Sequence, residues 1–468
     1  MRIRPEFSCP ATLTFQLEIL STTFLILLTV GSIALLLLLI IVVRLQAFIA
    51  LLAVSMFAAI LGGIPISEVA DAIREGMGST LGYIAVVIGV GTMLGEIIQV
   101  SGGARQIADT LVKTFGERRA HWALAVIGLI VAVPVFFEVA LILFIPLVYD
   151  LTDRSTKSLL HYGIPLVSGI AVAHAFIPPT PGPVAVASLL NADLGWVIFF
   201  GLIGGIPATA AGVLYGTFIA RRIVVPVPDY MRVEIPAEDP ASRRRQPGFG
   251  MVVSIIVLPL VLILLNTASG VVLAEESLLR EWMSFIGHPF TALLLAALLA
   301  FYFLGTRLGF SADEVQRVAT KSMEPVGMII LLTGAGGVFG YVLVATGVGD
   351  ALVNLMAASN LPIILFAFLI ATVVRVSQGS ATVAMVTTAG LMAPIVQTVD
   401  VSAPMLGAVT IAIACGATVL SHVNDSGFWL VSQFMGLSEK ETLQSWTVME
   451  TIVGLTGLFV MLVVSALL

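Results

Sequence analysis

Apolar runs of about 20 residues recur along this chain from residue 20 to its C-terminal end, the length a helix needs to cross a bilayer core of about 30 Å. Their spacing predicts helices near 20–43, 46–62, 83–101, 163–190 and 194–220, then near 250–268, 287–305, 327–345, 404–434 and 447–468. Two further apolar stretches, 121–149 and 360–398, are interrupted near their middles and read as re-entrant hairpins. Short amphipathic segments at 66–79 and 311–323 precede the third crossing of each set, with charges spaced for an interfacial helix. The expected fold is an all-α polytopic membrane protein.

The two sets of crossings read as one unit repeated. Gly89, Gly91 and Gly95 align with Gly334, Gly336 and Gly340 at a constant offset of 245 residues. Gly102 meets Gly347 in the same register, and Gly182 meets Gly427 far downstream. Those last glycines sit in helix-breaking stretches, Pro178-Pro179-Thr180-Pro181-Gly182-Pro183 and Asn424-Asp425-Ser426-Gly427. Interruptions at corresponding positions of two halves point to a transporter's binding site. The chain thus divides into a first membrane repeat (1–220), a polar linker (221–249) and a second membrane repeat (250–468).

Charge sets the orientation. The linker carries Arg221, Arg222 and Arg243-Arg244-Arg245, so it belongs in the cytoplasm, where short basic loops are retained. Arg105, Lys113, Arg118 and Arg119 precede the first hairpin, and Arg154 and Lys157 follow it, so that hairpin opens to the same side. The loop at 346–359 has Asp350 and no Lys or Arg, and Asp400 follows the second hairpin, which therefore opens outward. Five crossings per half is an odd number, so the repeats are expected to be inverted relative to one another. Arg2 and Arg4 fall on the outer side in this scheme, against the charge rule.

Composition agrees with the membrane reading: 59% apolar and 11% charged residues, with a mean hydropathy of +1.09, against roughly 25% charged in soluble domains. Cys9 and Cys415 are too far apart to suggest a disulfide framework. The first apolar run is longer than a signal-peptide core and lacks a small-residue cleavage site. No basic face outside short loops speaks for nucleic acid. An enzyme would need a nucleophile–base set or a metal cluster, and no His-Glu-x-x-His, Gly-x-Ser-x-Gly or clustered cysteines occur. No cofactor or metal is expected.

The chemistry should lie where the backbone breaks inside the membrane. Pro134 must bend the first hairpin, and Glu138 follows it; a carboxylate in hydrocarbon usually faces a cavity. Glu138 either handles protons or substrate, or closes the hairpin tip by bonding backbone N–H groups. In the second hairpin, Gln378, Gly379, Ser380 and Thr382 either form a nest of donors for a polyhydroxylated ligand or act as helix-packing glue. Arg375 meets a substrate carboxylate, pairs with an acid or snorkels.

The broken crossings supply the third set. Pro179 and its neighbouring prolines force the helix to restart near Thr180 and Gly182, with free N–H groups that attract an anion. Ser421, Asn424 and Asp425 add polarity ahead of Gly427 in the second half. His174 and His422 are candidate proton relays, or hydrogen-bonded packing residues. Asp425 suits proton exchange, because desolvation disfavours its charged form, and it suits N-capping equally.

Gly102-Gly103-Ala104-Arg105, the 134–138 stretch, 174–183, 375–384 and Ser421-His422-Val423-Asn424-Asp425-Ser426-Gly427-Phe428-Trp429 resemble the gluconate permease family, the gluconate:proton symporters. The resemblance runs in order from about residue 60 to the end. It implies bacterial inner-membrane, proton-driven uptake of gluconate or a related small hydroxylated or amino monocarboxylate. It further implies kinship with homodimeric carboxylate carriers that have paired re-entrant hairpins and elevator-like movement. Sodium coupling, a glycerate or D-amino-acid permease of the same fold, and a carrier-like membrane receptor are the alternatives. A channel would need a continuous polar pore rather than two midplane breaks. The proline- and arginine-rich linker and the N-terminal stretch match nothing in the family pattern.

Overall fold

The computed structural model describes residues 22–228, 246–274, 276–323, 326–347, 361–399, 401–422 and 425–468. Among them every regular element is helical, the outcome expected where no water is available to satisfy backbone N–H and C=O groups. The helices are α1 (Thr22–Leu37), α2 (Ala47–Leu61), α3 (Val69–Val100), α4 (Gly103–Phe115), α5 (Ala120–Val131), α6 (Phe137–Asp153), α7 (Leu160–Phe176), α8 (Pro181–Leu190) and α9 (Leu194–Ile219). The second half continues with α10 (Phe249–Val272), α11 (Leu278–Ile286), α12 (Pro289–Ala300), α13 (Ala312–Lys321), α14 (Val326–Ala345), α15 (Ile363–Gln378), α16 (Ala381–Thr398), α17 (Ala403–Thr418), α18 (Ser426–Met435) and α19 (Val448–Ser465). Seven helical runs among the described residues are long and apolar enough to cross a membrane. Others that the sequence marks as crossings, including α2 and α17, are shorter apolar helices.

Element boundaries follow the sequence offset. Shifted by 245 positions, α8 falls on α18 residue for residue, α6 falls on α16 within one residue at each end, and α9 falls within one residue on the continuous helical run Glu439–Ser465, of which α19 is the last part. The halves differ at one junction. The amphipathic stretch at 66–79 does not stand apart as an interfacial helix: after a short turn at Ile66–Glu68 it runs straight into the next crossing as the 32-residue α3. Its counterpart α13 is separate, opened by a capping box between Ser311 and Glu314. The reason is in the sequence: Pro325 stands where the first half has Thr80, and proline cannot continue a helix.

The halves are not side by side but interlocked. Helix α3 packs on α14, α9 on α19, α16 on α8 and α6 on α18. Each hairpin's second helix therefore rests on the other half's broken crossing. Close approach needs small residues, as in membrane helix interfaces generally. A Cβ on Gly182 of α8 would lie 2.3 Å from Cε of Met385 on α16. Tyr149 on α6 donates a 2.5 Å hydrogen bond to the Phe434 carbonyl on α18, 285 residues away. These contacts hold both breaks inside the protein.

Candidate functional site

The second break is the more polar. Helix α17 ends at Thr418, and the chain turns through Leu420, whose φ is 54°. It restarts at α18 with Asp425 as N-cap. One oxygen of Asp425, Oδ1, accepts the Gly427 N–H at 3.0 Å. The other, Oδ2, accepts from Nη2 of Arg375 at 2.6 Å and from the Ser421 hydroxyl. Arg375 is 2% exposed and Asp425 8%, so the pair sits away from solvent on both sides.

Arg375 lies in the last turn of α15, and its Nη1 donates to the Gly379 carbonyl. Gly379 has φ +82°, the left-handed conformation in which a helix commonly ends and which glycine adopts at no steric cost. Ser380 then caps α16, its Oγ accepting the Val383 N–H at 3.4 Å. The arginine thus ties the tip of the second hairpin to the second break. Ser421 ties the break to the final helix: its Oγ accepts Nε1–H of Trp446 at 2.7 Å, and its carbonyl accepts the Thr447 hydroxyl.

The first break is apolar by comparison. Helix α7 ends at Phe176 and α8 begins at Pro181, with a cis peptide between Pro178 and Pro179. Thr180 occupies the N-cap position, yet its hydroxyl donates to the Ile177 carbonyl at 2.6 Å and makes no side-chain cap. Gly91, Thr92, Pro134, Phe136, Pro179 and Thr180 line a cleft of about 10 Å3, room for about one water. A Cβ on Gly95 would lie 1.9 Å from the Pro134 carbonyl oxygen, so the glycine motif of α3 is where the first hairpin tip touches the backbone of its own half.

His174 stands in the last turn of α7, at the edge of the first break. It is within electrostatic reach of Glu138, Asp425 and Arg375, and its buried Nδ1 has no hydrogen-bond partner. Its ring lies 6.5 Å from that of Phe137, which in turn lies 5.4 Å from Trp446.

Of the residues singled out by sequence, Arg375, Gly379, Ser421, Asp425 and Gly427 meet in one cluster, and Pro134, Pro179 and Thr180 meet at the cleft. Gly182 lies on α8 against α16. Ser380 and Thr382 open α16, both partly buried. Glu138 stands in the first turn of α6 and is exposed on the protein. His422 is turned to the backbone, with Nδ1 2.9 Å from the Leu420 carbonyl oxygen. Asn424 and the side chain of Gln378 lie outside the described residues.

Sequence reasoning missed three residues on the final helical run: Trp446, Thr447 and Glu450. The first two hold Ser421. Glu450 is 4% exposed, lies within electrostatic reach of Arg375 and Asp425, and has an Oε1 with no hydrogen-bond partner. A lone carboxylate inside an otherwise apolar run at 448–465 was the available signal.

The model of the GntP family permeases matches residues 23–467. The chain belongs to this family. It is 43% identical to the low-affinity gluconate transporter of Escherichia coli (strain K12), over 94% of this chain and 98% of that protein. It is 40% identical to the gluconate permease of Pseudomonas aeruginosa, over 91% and 94% of the two chains. The fold is similar to that of the Alcanivorax borkumensis YdaH transporter, with a TM-score of 0.65, 14% identity, and coverage of 89% of this chain and 96% of that one. With membrane-length apolar helices and relatives that include an inner membrane permease of Escherichia coli, this GntP family member is a multi-pass protein of the bacterial inner membrane.

Proposed function

We propose that this protein is a secondary active transporter that imports gluconate, or a related small hydroxylated monocarboxylate, by proton symport. The observation that carries the substrate class is the full-length similarity to gluconate transporters and permeases. The buried site suits such a ligand. A hydroxylated monoanion needs a positive field and several hydrogen-bonding groups; Arg375 and Ser421, which meet on the same Asp425 oxygen, and Ser380 and Thr382 at the start of α16 are proposed to supply them. Asn424, Gln378 and Thr180 complete the proposed substrate-binding set. Glu138, Asp425, His174 and His422 are the charged and titratable groups that the sequence places in the proposed coupling region.

An inverted-repeat, elevator-type carrier fits the same observations. The matched helix boundaries support the repeat, and the odd number of crossings per half supports its inversion. Ser158 Oγ accepts the Val225 N–H at 3.0 Å, which ties the loop carrying Arg154 and Lys157 to the start of the linker and supports one cytoplasmic face for both. The 10 Å3 cleft is far smaller than a sugar acid, so the carrier must rearrange to admit one, as alternating access requires. Helices α1, α2, α10 and α12 bear many exposed apolar side chains and are the proposed scaffold and homodimer face.

Purified protein in proteoliposomes tests the reading. Labelled gluconate should exchange in counterflow, and an inward proton gradient should drive its accumulation while a sodium gradient alone should not. Absence of gluconate exchange would overturn the substrate class; accumulation driven by sodium alone would replace the coupling ion.

A further inference from the structure

We propose that Glu450 is the group that binds and releases the coupling proton, with the Arg375–Asp425 pair as the fixed charges it answers to. The inference rests on the proton-symport reading above and assigns its chemistry to one side chain.

Asp425 is already fully engaged. Its two oxygens accept from Arg375, Ser421 and the Gly427 N–H, and protonating it would break a buried ion pair and uncap α18. Glu450 is in the opposite condition. It is buried on α19, one turn beyond the Trp446 and Thr447 contacts that fasten this helical run to Ser421, and its Oε1 has no partner. A buried carboxylate normally demands donors; one left without them is better accommodated as the neutral acid.

Charge counting gives the same answer. Arg375 and Asp425 cancel, so an ionised Glu450 leaves one net negative charge in the protein interior, whereas a protonated Glu450 leaves none. The other groups brought by helices packed on α19 are few. Helix α9 brings Tyr215, bonded to the Gln444 carbonyl. Helix α17 brings the buried Cys415 thiol, which lies against Gly457. Helix α7 brings His174, in reach of the same ion pair. None of these offsets a second carboxylate.

The fold itself does not require an acid at this place. At the corresponding position of the first half stands Gly205, where even a Cβ would meet Val172 at 2.7 Å. The carboxyl is therefore an addition to one half of a repeated scaffold, set beside the only described buried ion pair.

Coupling follows from linkage. A monoanion arriving beside Arg375 adds negative charge to the cluster, and a proton on Glu450 removes it, so each ligand strengthens the binding of the other by the same factor. On release of the proton inside, the cluster repels the anion. One proton carried with one monoanion makes the loaded step electroneutral.

The test uses Glu450→Gln in proteoliposomes beside the wild type, with labelled gluconate as probe. A difference of one pH unit supports about tenfold accumulation by a one-proton carrier. The wild type should approach that ratio. E450Q should fall to about onefold while still catalysing counterflow, reduced but measurable, and its net gluconate flux should become driven by an inside-positive potential. If E450Q does not insert, Glu450→Asp serves: it keeps a titrating carboxyl displaced by one methylene, and should retain the pH drive with a shifted pH profile. Wild-type counterflow that fails altogether overturns the transport reading. Wild-type proton drive that survives intact in E450Q, or an E450D pH profile superimposable on wild type, overturns the role of Glu450 and leaves the transport reading standing.

Discussion

Nη2 of Arg375 lies 2.6 Å from Oδ2 of Asp425, across 50 residues of chain, and joins the tip of the second hairpin to the start of the restarted helix. The two ends of that bond belong to different elements, so any motion of the hairpin relative to α18 must stretch or break it. Removing one partner leaves a buried charge without compensation, which typically costs about 3–5 kcal/mol. Arg375→Gln and Asp425→Asn should each lower thermal stability in detergent by that order. The double variant should recover part of the loss, because neither charge is then stranded. A double variant whose loss equals the sum of the two singles would show that the pair has no coupling energy.

Ser380 has a structural duty and a proposed ligand duty, and the two separate. Loss of its cap in Ser380→Ala should cost about 0.5–2 kcal/mol in stability, and gluconate affinity should fall about 5- to 150-fold if a buried hydrogen bond worth about 1–3 kcal/mol is lost with it. Ser380→Asp restores a good N-cap, so stability should return; affinity for an anion should not. Thermal unfolding and equilibrium gluconate binding read the two effects independently.

Gly95 is a contact point, not merely a common membrane residue. In Gly95→Ala the new methyl meets the Pro134 carbonyl, and backbone cannot yield as a flexible side chain can. Overpacking of this kind costs about 1–3 kcal/mol. Transport should drop sharply in G95A while Gly82→Ala, at a position with open space around it, should behave as wild type. Equal tolerance of both changes would mean that the α3–hairpin contact is not maintained during transport.

The clash at Gly182 differs in kind, since it meets the mobile end of Met385. Gly182→Ala alone should reduce transport several-fold, and adding Met385→Ala should restore much of it. Failure of the second change to help would argue that α8 and α16 do not press on each other in the membrane.

His288 caps α12, with Nδ1 accepting the Phe290 N–H at 3.3 Å and its ring 4.8 Å from that of Phe290. Burial lowers its pKa below the ordinary histidine value of about 6.5. The folded protein therefore holds its proton less tightly than the unfolded chain does. Its contribution to stability is present above about pH 6.5 and is lost as the pH falls. His288→Asn, which caps without titrating, should show a weaker decline than wild type between pH 7 and pH 5 in thermal-unfolding series.

Much of this architecture could be read from the chain because its signals are local. Glycines at a fixed offset, four prolines around Thr180, and Asp425 ahead of Gly427 each alter backbone where they stand. Even the alternatives for Arg375 included pairing with an acid. What stayed hidden was relational. Glu450 breaks no helix, so a search for interruptions passed over it, and only the packing of α19 reveals what it faces. The junction between 66–79 and the next crossing was misjudged for the converse reason: Thr80, unlike Pro325, lets the helix continue, and hydropathy alone does not register that.

The interlocking of the halves bears on how the protein is made. The Tyr149–Phe434 hydrogen bond closes a span of 285 residues, and chains are elongated at about 5–20 residues per second. For roughly 15 to 60 s after α6 is synthesised, its partner surface on α18 does not yet exist. The first half must wait in the bilayer with its hairpin and proline break uncovered, sheltered only by lipid or by the insertion machinery. Biogenesis, more than the stability of the finished carrier, is then the stage at which defects in the second half would first be felt by the first.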